Sequence, residues 1–307
     1  MKQWLLIAIT ALIGHAEWSN DPGSPVQLGT GIQPQIVATS DGGAYVAWLT
    51  SGNFHIYLQR LDINGDPQWN PGGELISDAA NSSWIAVFHM NLAVDEADNA
   101  IISSVDTRTG NWEVYAYKID PDGNHVWDAN GLPLSANGRG NISPRLVVEP
   151  SDNSIIVTWS DDFTSLRLQR ISPDGQMLWS AGGINASAFN ATLISPQPTL
   201  SSDGHILVQA VKQTGSFPAL SSQAMLQKYA LDGTAQWTPW LPLASSVNFP
   251  MGNWQQDIQP DLTGGAFSSW TEMTTQNQTG KIQSVSAAGT LDWTSAVEAS
   301  TSANNFR

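Results

Sequence analysis

Short apolar runs separated by clusters of Gly, Asp, Asn and Pro fill the chain, and no helical period lasts longer than two turns. Near the N-terminal end, Gln35-Ile36-Val37-Ala38 reads as a strand and Ser40-Asp41-Gly42-Gly43 as the turn that follows it. Ala44–Leu49 then forms a second strand and Ile56–Leu61 a third. The Asn64-Gly65 pair supplies a tight turn, and Gln68–Ile76 makes a fourth. The second strand returns as AYVAWLT, AIISSVDT, SIIVTWSD, HILVQAVK and AFSSWTEM. These runs are almost continuously apolar, as expected of strands covered on both faces.

The third strand and its turn repeat more strictly. LDINGDPQW at 61–69 is followed by IDPDGNHVW at 119–127, ISPDGQMLW at 171–179, YALDGTAQW at 229–237 and VSAAGTLDW at 285–293. Gly65, Gly123, Gly175, Gly233 and Gly289 always stand fifth, and Trp69, Trp127, Trp179, Trp237 and Trp293 always stand ninth. The glycines lie 58, 52, 58 and 56 residues apart. That period fits one four-stranded blade per repeat, so the spacing predicts an all-β propeller with units at about 33–77, 91–135, 143–187, 195–245 and 256–300. The glycine serves a turn with positive φ. The indole, which buries on the order of 150–250 Å², fills the wedge between neighbouring blades. Gln59-Arg60, Tyr117-Lys118, Gln169-Arg170 and Gln227-Lys228 repeat just upstream, ending with Gln283-Ser284. This position predicts a ladder of inter-blade hydrogen bonds or ion pairs.

YALDGTAQW and ISPDGQMLW resemble the tryptophan-docking repeats of PQQ-like (quinoprotein-like) propellers and of exported bacterial propeller proteins. The resemblance covers nearly all the chain after its first residues and implies blade architecture. Quinoprotein dehydrogenases also carry cofactor and calcium ligands, and often a vicinal cysteine pair. None of those ligands is matched here and cysteine is absent, so the resemblance does not extend to PQQ.

The ends modify this picture. MKQWLLIAITALIGHA has an early lysine, an apolar run from Trp4 to Ile13 and a small-residue triplet at Gly14-His15-Ala16, the order of a signal peptide at 1–16. The run is shorter than the roughly 20 residues a spanning helix needs, so export to the periplasm, cell surface or medium is expected rather than membrane insertion. Residues 17–307 then form a single propeller domain. Trp18 resembles the start of a fourth strand that has no three-strand partner. Either five blades close with one strand to spare, or the chain is a truncated propeller of six or more blades that self-associates through its open face.

With 307 residues, 41% of them hydrophobic and 13% charged, the chain can bury a large core. A net charge of −15 and a pI near 4.4 exclude nucleic acid as a partner class. The chain has no HExxH, GxSxG, Walker A or GxGxxG motif, and its histidines read as solvated loop residues. The Asp62-x-Asn64-Gly65-Asp66 and Asp120-x-Asp122-Gly123-Asn124 turns resemble calcium loops but lack the Glu at position twelve. They read as plain hairpin turns, with calcium the alternative. Asp106, Asp161, Asp162 and Glu272 follow the second strands and would gather at one end of the propeller, where carboxylates could bind a cation or act as acid/base pairs. Trp84, Trp112, Trp240 and Trp254 fall outside the repeat; Trp84, Trp112 and Trp254 suit stacking platforms for sugar rings. No catalytic constellation rises above turn and core readings. The expectation is therefore a non-catalytic propeller that binds a glycan or protein outside the cell. The alternatives are a glycan-cleaving enzyme, a degenerate quinoprotein or a pure assembly scaffold.

Overall fold

The computed structural model describes residue 23 and residues 25–216, 219–248, 255–273 and 278–299. The first blade is the antiparallel meander β1 (Ile32–Ala38), β2 (Ala44–Leu49), β3 (Ile56–Leu61) and β4 (Glu74–Ser77). A single helical turn, α1 (Ile85–Phe88), precedes the second, formed by β5 (Asn91–Val94), β6 (Ala100–Asp106), β7 (Glu113–Ile119) and β8 (Leu132–Pro133). The third comprises β9 (Asn141–Glu149), β10 (Ser154–Asp161), β11 (Ser165–Ile171) and β12 (Ile184–Ala186). In the fourth, β13 (Thr192–Leu200), β14 (Ile206–Thr214), β15 (Ser221–Tyr229) and β16 (Leu241–Pro242) are joined by β17 (Val247–Asn248), which also pairs with β15. The fifth is β18 (Gln256–Pro260), β19 (Ala266–Met273), β20 (Gln278–Val285) and β21 (Val297–Glu298). The protein is an all-β propeller with five four-stranded blade units. First strands of successive blades lie side by side from β1 to β18 and form the innermost layer.

The apolar second strands are the core. Every residue of β6 and β10 is buried, and three contiguous apolar clusters run through blades one to three, three to four, and four to five. The fourth strands are shorter than their sequence suggests. In the first blade, β4 starts at Glu74 rather than at Gln68, because the backbone N–H of Trp69 bonds to the Gln59 side chain at 3.1 Å and a turn at Asn70–Gly73 intervenes. Trp18 and residues 1–16 lie outside the described residues, and Pro25–Leu28, which follow Trp18, form no strand.

The repeated glycine and tryptophan meet across blades. The indole N–H of Trp69 donates to the Pro121 carbonyl of the second blade at 3.1 Å; Trp127 reaches Pro173 at 3.0 Å, and Trp179 reaches Leu231 at 3.2 Å. Each acceptor sits in the next blade's turn, two residues ahead of its glycine. Gly175 has φ +90°, and a Cβ added there would stand 3.0 Å from Cδ1 of Trp127. Glycine is thus required twice, by the turn and by the indole against it. The repeated cations bond to the same carbonyls: Arg60 to Pro121 at 3.3 Å, Lys118 to Pro173 at 3.1 Å and Arg170 to Leu231 at 3.0 Å. Each also pairs with a carboxylate in its own blade's first turn: Asp41, Asp95 and Asp152 respectively. The expected ladder is therefore carried by the cations. The glutamines instead turn inward: Gln59, Gln169 and Gln227 bracket the tryptophan segment of their own blade.

Candidate functional site at the end of the central axis

A cavity of about 950 Å³ opens at the end of the propeller where first strands begin and second strands end. Much of its lining comes from a local motif that recurs in the first strands and reaches the cavity from the second, third and fourth blades. Ile32-Gln33-Pro34-Gln35, Ile142-Ser143-Pro144-Arg145 and Ile194-Ser195-Pro196-Gln197 align, and Phe88-His89-Met90-Asn91 occupies the same place in the second blade. Gln33, His89, Ser143 and Ser195 all have φ between +53° and +59°. For residues with a Cβ such angles are strained, and such strain concentrates at functional positions. Pairing slips here: β1 shifts register between Ile32 and Gln35, and β13 between Ile194 and Gln197. The next side chain then bridges to the following blade. The Gln35 amide donates to Met90 O at 2.6 Å and accepts from Leu92 N at 3.1 Å, while Asn91 accepts from Leu146 N at 2.8 Å. In the third blade this position is Arg145.

Aromatic rings form one wall. Trp84 stacks on Phe88 with centroids 6.0 Å apart, and Phe88 meets Trp112 edge-on at 5.1 Å. Trp84 is 58% exposed, and Phe163, which also lines the cavity, 54%. Amides supply polar contacts from Gln197, Gln213, Gln255 and Gln256. The titratable groups in the wall are Arg145 and His89. Burial, and then the positive charge of Arg145, hold the His89 imidazole below its ordinary pKa. Burial likewise lowers Arg145. Among the described residues, no carboxylate lines the cavity.

The carboxylates expected to converge do not. Asp106 is gripped by Arg108 at 2.7 Å, and Glu272 accepts from the Trp270 indole at 3.1 Å with Lys281 4.0 Å away. Asp161 is fully buried between Arg167 at 2.8 Å and Arg139 at 3.5 Å. Each is neutralised by a cation of its own neighbourhood. Among the described residues, no three His, Asp or Glu side chains gather as a metal site. Asp162 is the exception: it is exposed, ion-paired only with Arg139 at 3.1 Å, and directly precedes Phe163 at the cavity rim. Both residues have positive φ, +54° and +53°.

Of the tryptophans outside the repeat, Trp84 and Trp112 line the cavity, Trp240 is buried in the core between the third and fourth blades, and Trp254 lies outside the described residues. His89 departs from the expectation of solvated loop histidines, because the positive-φ bulge turns it into the cavity wall. In the calcium-like turns, Oδ1 of Asp62 accepts from Asn64 N and Asp66 N, and Oδ1 of Asp120 from Asp122 N and Asn124 N, so these carboxylates close the turns themselves. Arg145, His89 and Phe163 were not found from the sequence. The recurring apolar-x-Pro-Gln/Arg motif, with its single arginine, was the available signal.

No family model and no curated protein matches the chain. Among solved structures it is similar to an α-L-arabinofuranosidase from Fusarium graminearum bound to an iminosugar inhibitor. The identity is 11%, with 86% of this chain and 79% of that one covered, at a TM-score of 0.54. An α-L-arabinanase from Penicillium chrysogenum complexed with arabinobiose is 11% identical, covering 86% of this chain and 91% of that one, at a TM-score of 0.48. An endo-arabinase from Bacteroides thetaiotaomicron is 11% identical, covering 85% and 98%, at 0.44. The likeness to the arabinofuranosidase establishes the fold. It also corrects the expectation of a non-catalytic binding propeller, because the solved structure that shares this fold is a glycan-cleaving enzyme, in line with the alternative reading.

Proposed function

We propose that the protein is a glycan-cleaving propeller enzyme whose saccharide lies in the central cavity. The aromatic and amide lining carries this reading. Exposed rings of Trp84 and Phe163 offer faces for stacking on pyranose or furanose rings, and the amides of Gln197 and Gln255 make no hydrogen bond among the described residues, leaving them for hydroxyls. The resemblance of the fold to an arabinofuranosidase supports the same class. Cleavage ordinarily uses two carboxyl groups, one that protonates the leaving oxygen and one that activates water or attacks the sugar carbon. Asp162 is the carboxyl group at the rim that is open to a ligand. Export, as expected from residues 1–16, would bring such an enzyme to polysaccharide outside the cell.

Assay of released reducing ends from arabinan and a panel of other polysaccharides tests the reading. Product is expected from at least one. Asp162→Asn should lower turnover by about 100-fold or more, with sugar affinity changed only a few-fold. Absence of product from every polysaccharide, with the protein folded, would sink the proposal.

A further inference from the structure

The cations of this acidic chain are almost all spent. Among the described Lys and Arg residues, each except Arg145 and Lys212 is in an ion pair. Lys212 is a flexible amine on β14, whereas Arg145 is held in the wall of the central cavity. One of its terminal nitrogens, Nη1, bonds to Pro144 O at 2.8 Å and Phe88 O at 3.4 Å. Its Nε and Nη2 have no hydrogen-bond partner among the described residues, yet neither is sealed from solvent. Arg145 lines the cavity, so both donors are left for a ligand there. His89 beside it also lacks a side-chain hydrogen bond among the described residues, so no protein group there neutralises the guanidinium. In the first and second blades the same position is an uncharged amide serving the inter-blade bridge. An amide would suffice for architecture, and a partly buried cation without a counter-charge is costly to keep.

We infer that Arg145 receives the carboxylate of an acidic sugar, so that the cavity selects uronate-containing glycans over neutral ones. Nε and Nη2 are the two donors on one edge of a planar guanidinium, the edge that fits the two oxygens of a carboxylate. The Trp84 and Phe163 faces provide stacking for the ring that bears it. Among the described residues no carboxylate lines the cavity, so apart from Asp162 at the rim a negatively charged ring meets no repulsion from the wall, although the molecule as a whole carries −15. The inference rests on the glycan reading of the same cavity, and the test below separates the two.

Affinity of the full-length protein is measured by calorimetry for digalacturonate, for uncharged galactobiose and for a sulfated galactobiose. The uronate should bind about tenfold or more tighter than the neutral sugar, as expected for a charge-assisted bidentate contact. In Arg145→Gln this preference should fall to about one. Arg145→Lys, which keeps the charge and loses the fork, should retain only part of it and serves if the glutamine variant does not fold. A structural role alone would weaken both sugars equally and leave their ratio intact. A ratio near one in the parent protein, or one that persists in Arg145→Gln, overturns the inference, as does tighter binding of the sulfated sugar than of the uronate. Uronate preference without any glycan cleavage would leave this inference standing and remove the enzymatic reading. Cleavage of neutral arabinan with no charge preference would do the reverse.

Discussion

Lys118 and Asp95 form an ion pair at 2.9 Å with both side chains almost wholly buried. Burial pushes the Asp95 carboxyl up, but hydrogen bonds from Lys118 and Asn99 outweigh it and hold Asp95 below the usual carboxylate range. Removing the lysine would leave a buried carboxylate without its counter-charge. Lys118→Met is expected to cost about 3–5 kcal/mol in denaturant unfolding, with Asp95→Asn recovering part of that loss in the double variant. A loss under about 1 kcal/mol would show that the pair contributes little. Asp152 and Asp203 are likewise lowered: burial opposes, while Ser154 in one case and Lys228 in the other prevail. A depressed folded-state pKa stabilises the fold above the unfolded value, near 3.9, and that contribution is lost as pH falls through the folded value. The melting temperature should therefore be nearly flat from about pH 8 to pH 5 and drop below about pH 4. Asp152→Asn and Asp203→Asn should each make the drop shallower.

At the scale of the element, the unit of construction is a turn and the indole docked on it. Trp127 and Gly175 belong to different blades, so their substitutions should couple. Trp127→Ala is expected to destabilise by about 3–5 kcal/mol, and Gly175→Ala by about 1–2 kcal/mol from backbone strain plus the contact with the ring. The double variant should cost less than the sum, because the ring that Cβ would strike is then absent. Strict additivity would place the two residues in independent environments. This element was legible in the sequence down to its strand limits: β2 and β3 match the apolar runs residue for residue. The partner of the tryptophan was not, because the five-residue and nine-residue positions repeat within a unit and carry no mark of which blade they touch. The fourth strands were overread for a related reason. Apolar character around Trp69 reflects docking on the next blade, and the glutamine that captures its backbone leaves that stretch outside the ladder.

For the whole molecule, the site was legible only in part. Trp84 and Trp112 were visible because they break the repeat, whereas Arg145 was hidden inside it, as one variant of a motif whose other copies are structural. Carboxylates after the second strands misled because sequence shows their common end of the propeller but not the arginines that occupy them. The same hierarchy sets how the molecule opens. The apolar cluster of blades one to three contains the fully buried strands β6, β7 and β10, while β1 alternates between half-buried and exposed and Ile36 is 65% exposed. In the fifth blade, Phe267 is 46% and Val297 52% exposed. Its turn cation is replaced by Ser284, and the Trp293 indole donates to no carbonyl among the described residues. The fifth blade is bonded to the fourth, by Lys228 to Gly264 O and Ala287 O among others, but among the described residues lacks the repeated outward bonds of the other blades. Local opening costs least where few apolar groups are buried and such bonds are fewer. Native-state hydrogen exchange should therefore rank β6, β7 and β10 slowest, β14 and β15 next, and β1, β20 and β21 fastest. In guanidinium the fifth blade should lose protection before the second and third. Equal protection across all five blades would mean that the blades unfold as one cooperative ring, and that the differences in burial at its two ends have no energetic consequence.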